Sequence, residues 1–224
     1  MGKEIEKRFF KYNKKEVVDK IMKEMNGKYK GEHIFKVWKF NIPKNMSSDI
    51  HTLRVRDEGF KKTFTIKKRG KNDTYDTEYE VKIQDPQEMI KMLELMDFEL
   101  DHYYEKIREI YKVGSSEVIF DTYPGMPDSM EVESKNIRVL KKMMNKLGLK
   151  DDEEDSQKNT DFYKHYNIQG GFDDRIGRCK EGYTFQNVFK HRNLYAKKNQ
   201  KEFQQYMKKQ NQYYLKIKKQ NSSP

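Results

Sequence analysis

A single cysteine, Cys179, in 224 residues excludes an intrachain disulfide and any cysteine-cluster metal site. Proline is scarce, with 5. No stretch approaches the roughly 18 apolar residues of a membrane span, so a chain that stays out of the bilayer is expected. The N-terminus opens Met1-Gly2-Lys3-Glu4 without an apolar signal core, which places the protein in the cytoplasm by expectation. The five histidines, His33, His51, His102, His165 and His191, fall at no metal-ligand spacing and read as structural or surface groups. Gly70 and Gly114 mark turns and lack the spacing of a phosphate loop.

Charge is what the chain has in excess. Charged residues make up 37% of it, against roughly 25% in an average soluble protein, and the mean hydropathy is -1.15. The net charge of +11 is concentrated at one end: residues 178–224 hold 12 Lys and Arg against 2 acids, Glu181 and Glu202. Residues 1–177 are close to neutral, with 35 basic and 34 acidic side chains. A body so dense in both signs implies opposed charges brought together rather than one solvated face. Two regions follow: a domain over residues 1–169 and a basic, aromatic, partly helical extension over residues 170–224.

Strand signals with period two run over Lys3 to Lys11, Glu32 to Ile42, His51 to Asp57, Phe60 to Lys68, Asp76 to Gln84, Tyr103 to Val113, Glu117 to Thr122 and Ser129 to Ser134. Three amphipathic helices interrupt them. The first follows Asn13, the second opens at Asp85-Pro86, and the third is capped by Ser134, with Ile137, Leu140, Met144 and Leu147 inward and Gly148 as its stop. The run Asp151 to Asp155 reads as a solvated linker, and Gly170-Gly171 as a break. Beyond it, Phe203, Tyr206, Met207, Tyr214 and Ile217 recur at helical spacing, a stripe suited to packing on the domain or a partner.

The strands carry an inverted pattern. One face holds Ile5, Phe9, Leu53, Val55, Phe64, Ile66, Tyr79, Val81, Ile83, Ile107 and Val132, which need cover that the helices can provide. The other holds grouped charges: Glu4, Glu6 and Arg8; Arg54 and Arg56; Lys67; Glu78 and Glu80; Lys106 and Arg108; Asp121; Glu131 and Glu133. An open antiparallel sheet with one wet face gives the same alternation. Acids and bases grouped in separate doublets over seven strands favour instead an α+β fold, an eight-stranded antiparallel β-barrel with a charged interior, covered outside by helices. Such a bore must be paired, metal-bound or hydrated, and a polyphosphate carrying a divalent cation satisfies both signs at once.

The segments Glu4-Ile5-Glu6-Lys7-Arg8, Leu53-Arg54-Val55-Arg56, Phe64-Thr65-Ile66-Lys67, Glu78-Tyr79-Glu80, Lys106-Ile107-Arg108, Phe120-Asp121 and Glu131-Val132-Glu133 resemble, in order, the signature strands of the CYTH, or triphosphate tunnel metalloenzyme, superfamily. That superfamily includes class IV adenylyl cyclases and thiamine triphosphatases. The resemblance covers about Gly2 to Ile168. It departs at Arg8, where Lys is commoner, and in the second strand, which lacks an acid with aromatic neighbours.

The resemblance implies that Mg2+ or Mn2+ is held by Glu4, Glu6 and Glu133 with Glu131, Asp121, Glu78 and Glu80 in support, and that Arg8, Arg54, Arg56, Lys67, Lys106 and Arg108 grip a triphosphate. Glu4, Glu6, Lys67, Glu80 and Glu133 are then the expected catalytic set. The expected reaction is hydrolysis of a triphosphate, with ATP, thiamine triphosphate, tripolyphosphate or an RNA 5' end as substrate. Adenylyl cyclisation, RNA 5'-triphosphatase activity with nucleic-acid contact by the basic extension, and polyphosphate binding without turnover are the alternatives. A monomer or a homodimer is expected.

Overall fold

The computed structural model describes residues 2–70, 76–150, 160–168 and 172–221. Its frame is eight antiparallel strands: β1 (Gly2–Phe9), β2 (Lys28–Phe40), β3 (Ile50–Asp57), β4 (Lys62–Arg69), β5 (Asp76–Lys82), β6 (Leu100–Val113), β7 (Ser116–Thr122) and β8 (Ser129–Ser134). They close a ring in the order β1-β5-β4-β3-β2-β6-β7-β8. Strand β1 makes the closure. Its first half pairs with β5, Gly2 opposite Glu78 and Glu4 opposite Asp76. Its second half pairs with β8, from Ile5 opposite Ser134 to Phe9 opposite Met130. The expected barrel is therefore observed, and its alternation sends one residue of every two into the bore.

Three helices lie between or after these strands, each started by a side chain that accepts from an otherwise unpartnered N–H. Asn13 caps α1 (Lys14–Lys23) through Glu16 N–H, and Asp85 caps α2 (Pro86–Leu95) through Gln87 N–H. The cap of α3 (Ile137–Leu147) is Asn136, accepting from Arg138 N–H at 2.8 Å, and not Ser134, which ends β8. Leu140, Met143, Met144 and Leu147 are buried, while Ile137, expected on the inward face, is exposed.

The apolar exterior is covered in three places. Helices α1 and α3 bury Phe9, Val118, Phe120, Met130 and Val132. Ile90 and Leu93 of α2 pack on Phe40, Leu53 and Val55. On β5 the expectation fails: Tyr79 and Val81, read as outer residues needing cover, are 49% and 57% exposed. The run Asp151 to Asp155 and the pair Gly170-Gly171 lie outside the described residues.

The third cover is the basic extension. After α4 (Thr160–Tyr166) come α5 (Phe172–Gly177), α6 (Phe185–Lys190), a 3-10 turn (Arg192–Leu194) and α7 (Gln200–Asn221). Phe185, Tyr214 and Ile217 bury Ile107 of β6. Tyr183 N–H donates to Tyr103 O at 2.8 Å, and Glu105 N–H to Tyr183 O at 3.0 Å, which adds a backbone bridge to the edge of the same strand. Among the described residues, no helix is long and apolar enough to cross a membrane.

One polar residue sits within the apolar stripe of α7. Gln210 accepts from Gly125 N–H at 2.8 Å and donates to Met126 O at 3.0 Å and Tyr123 O at 3.2 Å, satisfying the β7–β8 turn. Gly125 has a φ of +63°, and a side chain there would meet Val188 at 2.9 Å, so the turn is built to lie against the extension. Replacing Gln210 by Leu takes this partner from Gly125 N–H, while Tyr123 O keeps Met126 N–H and Met126 O keeps the Tyr206 hydroxyl, and a loss of about 2 kcal/mol is expected in denaturant unfolding. A melt indistinguishable from that of the parent protein would mean that the extension does not hold this turn.

Candidate active site

The bore holds a cavity of about 850 Å³ lined by side chains of all eight strands. Its charges fall into two groups. On the β1–β8 side, Glu6, Glu131 and Glu133 each offer a carboxylate oxygen, all within 4.8 Å of one another. Their register explains the convergence, because Glu6 lies opposite Glu133 and Arg8 opposite Glu131. Three hard oxygen donors at this spacing suit a divalent cation such as Mg2+ or Mn2+.

Cations flank this cluster. Arg8 donates to Glu131 Oε1 through Nε at 2.9 Å and through its terminal nitrogen at 2.5 Å. Arg108 spans two carboxylates, donating to Asp121 Oδ1 at 2.7 Å, Asp121 Oδ2 at 2.5 Å and Glu131 Oε2 at 2.6 Å. Lys106 donates to Asp121 Oδ2 at 2.8 Å and to the Tyr123 hydroxyl at 3.3 Å. Burial alone would raise Glu131, but Arg108, Lys106 and Arg8 more than offset it and hold its carboxyl well below the usual carboxylate range. Burial also opposes the charge on Arg8, and Glu131 overrides it, so this guanidinium stays protonated. On Lys106 burial wins, aided by Arg108, and its ammonium is pulled below the ordinary lysine value.

The β3–β5 side repeats the scheme. Glu78 pairs with Arg54 and with Lys67, each at 3.3 Å. Glu80 pairs with Arg56 at 3.0 Å and Lys61 at 2.8 Å, and accepts from the Thr65 hydroxyl at 3.2 Å. The sequence-predicted residues Glu6, Arg8, Arg54, Arg56, Lys67, Glu78, Glu80, Lys106, Arg108, Glu131 and Glu133 all line this one cavity. Asp121 is fully buried behind it, with its oxygens held by Lys106 and Arg108. Glu4 occupies the β1 position opposite Asp76.

Several lining residues were not singled out in the sequence. Glu58 reaches Arg56 at 2.7 Å. The Phe35 ring faces three cations, with Arg108, Arg56 and Lys106 at 5.5, 5.6 and 5.8 Å from its centre. Tyr104 and Tyr123 form the wall beside Lys106. Carrying the period-two count one step past Arg56, Lys106 and Asp121 reaches Glu58, Tyr104 and Tyr123, so the signal was present. Two histidines read as structural or surface also line the cavity: His33 and His51, the latter 3.1 Å from Asp76.

A family model for the CYTH domain matches residues 40–163. That stretch begins after β1, so Glu6 and Arg8 are placed in the site by strand pairing. Among solved structures, a candidate adenylate cyclase from Vibrio parahaemolyticus is similar with a TM-score of 0.58 at 16% identity, over 73% of this chain and 98% of that one. The PH1012 protein of Pyrococcus horikoshii gives 0.57 at 23% identity, over 67% and 93%. A conserved hypothetical protein of Pyrococcus furiosus gives 0.55 at 19%, over 71% and 99%. At these identities the likeness is one of fold. No curated protein matches the chain.

Proposed function

The chain belongs to the CYTH domain family, and from that premise we propose that it hydrolyses a triphosphate in the barrel with Mg2+ or Mn2+ as cofactor. The observation that carries the reading is the placement of three convergent carboxylates, Glu6, Glu131 and Glu133, in one cavity with Arg8, Arg54, Arg56, Lys67, Lys106 and Arg108. Glu6, Glu131 and Glu133, with Glu4 earlier on β1, would hold a divalent cation, which would supply charge neutralisation at phosphate oxygens. The basic groups hold the phosphate chain, and Arg54, Arg56 and Lys67 keep it at the β3–β5 wall.

Phosphoryl transfer asks mainly for positioning and charge neutralisation, so no nucleophilic side chain is needed. Arg8 acts as a phosphate clamp rather than a proton carrier, because Glu131 keeps it charged. The paired walls also couple the substrate to the metal. A triphosphate entering the bore draws Arg and Lys away from Glu131, Glu78 and Glu80, and the carboxylates so released need a cation. Substrate and metal are therefore expected to strengthen each other's binding, with reciprocal coupling.

The test is an incubation of the full chain with ATP, thiamine triphosphate, tripolyphosphate and 5'-triphosphorylated RNA under Mg2+ or Mn2+, with product identification. Orthophosphate release that stops on chelation is the expected result. Cyclic AMP with pyrophosphate from ATP would replace hydrolysis by cyclisation, the reading consistent with the likeness to the Vibrio structure. Binding of tripolyphosphate without any product would leave a polyphosphate-binding module.

A further inference from the structure

The cavity has one part that phosphate chemistry does not use. At the rim, the Phe60 ring lies 4.6 Å from the His33 ring in an edge-on arrangement, and both line the bore. Phe60 is 57% exposed, unlike the other lining aromatics. Phe35 already faces three cations, and Tyr104 and Tyr123 sit at the Lys106 wall. Phe60 thus presents apolar ring surface to solvent beside an ionic pocket, where it covers nothing of the protein's own core.

The hairpin that carries the ring is also held in place. Glu58 N–H donates to Lys61 O at 2.9 Å and Gly59 N–H to Asp57 Oδ1 at 2.8 Å, which closes the β3–β4 hairpin on itself. Gly59 supplies the φ of +84° that this tight turn needs. Lys61 ties the same hairpin to the β5 wall through Glu80 at 2.8 Å. On the other side, the His33 ring is placed by its Nε2 contact with Lys30 O at 3.3 Å. A fixed aromatic surface loses little freedom when a flat ring is laid on it.

Resting on the triphosphate reading above, we propose that Phe60 and His33 form a stacking subsite for a planar aromatic heterocycle attached to the triphosphate. The site then takes an organic triphosphate bearing such a ring in preference to inorganic tripolyphosphate. Two sources share this chemistry, a nucleobase and the rings of thiamine, and substrate arms separate them.

The experiment measures kcat/KM of the full chain for ATP, thiamine triphosphate and tripolyphosphate, in the parent protein and in Phe60→Ala, Phe60→Trp and His33→Ala. Stacking on one ring is worth about 1–3 kcal/mol by alanine substitution, so Phe60→Ala is expected to lower the ratio of organic to inorganic turnover about tenfold, through KM. Phe60→Trp should keep the parent ratio, and His33→Ala should lower it less. The ring-bearing substrate whose ratio moves identifies the heterocycle. An unchanged ratio in Phe60→Ala overturns the subsite while leaving the triphosphatase intact, as does a parent protein that turns over tripolyphosphate alone. Failure of any triphosphate to bind or react overturns both. Because Phe60 is exposed, its removal is not expected to unfold the chain.

Discussion

Converting Glu133 to Gln is expected to lower metal-dependent triphosphate turnover on the order of 10³-fold, because several kcal/mol of charge stabilisation is lost with one carboxylate of the cation site. The choice of residue matters. Glu131 shares the cluster, but it also accepts from Arg8 and Arg108, so its removal would disturb the wall as well as the cation site. Glu133 makes a long contact with Arg108, at 3.9 Å, and retains partial solvent exposure. The Gln variant keeps the shape and is expected to melt within a few degrees of the parent protein. Higher Mg2+ should restore part of the activity, since a weakened site is refilled by mass action. Glu6→Gln should behave in the same way. Retention of kcat/KM within about threefold in both variants would remove the cation from this corner of the bore.

The barrel itself was legible because its signal is periodic. Charges alternate with apolar residues along the signature strands, and a one-residue slip would send Arg54 and Arg56 outward under the helices and turn Leu53 and Val55 into the charged bore. Register therefore follows from the pattern. What the pattern does not contain is pairing across the ring. The contact of Glu6 with Glu133 depends on β1 splitting its length between β5 and β8. The role of Asp121 depends on Lys106 and Arg108 lying on the neighbouring strand, where Arg108 stands directly opposite it. A sequence gives Asp121 as a carboxylate on the inner face; only the neighbouring strand shows both of its oxygens engaged.

The extension was legible in the same limited way. Phe203, Met207, Tyr214 and Ile217 mark the buried stripe of α7, and all four are buried. Gln210 falls on that stripe without announcing its partners, because Tyr123, Gly125 and Met126 are more than eighty residues earlier. The misplaced cap of α3 has a local cause. Ser134 and Asn136 are both good capping residues two positions apart, and the ladder between β1 and β8 runs through Ser134. Tertiary pairing consumed the first choice and the helix started at the second.

That engagement of Asp121 makes it the residue whose loss should cost the most stability. Fully buried, it is the shared partner of Lys106 and Arg108. Asp121→Asn leaves two buried cations short of charge, and removing one partner of such a set costs about 3–5 kcal/mol. For a chain of this length that corresponds to a fall in Tm of roughly 10 °C. Adding Lys106→Met to the variant removes one of the stranded cations and should recover a substantial part of the loss, which a simple packing defect would not do. A bound polyanion should act similarly: tripolyphosphate brings negative charge to the same wall, so it is expected to raise the Tm of Asp121→Asn by more than it raises that of the parent protein. Equal shifts in the two proteins would place the phosphates elsewhere in the bore, away from Lys106 and Arg108.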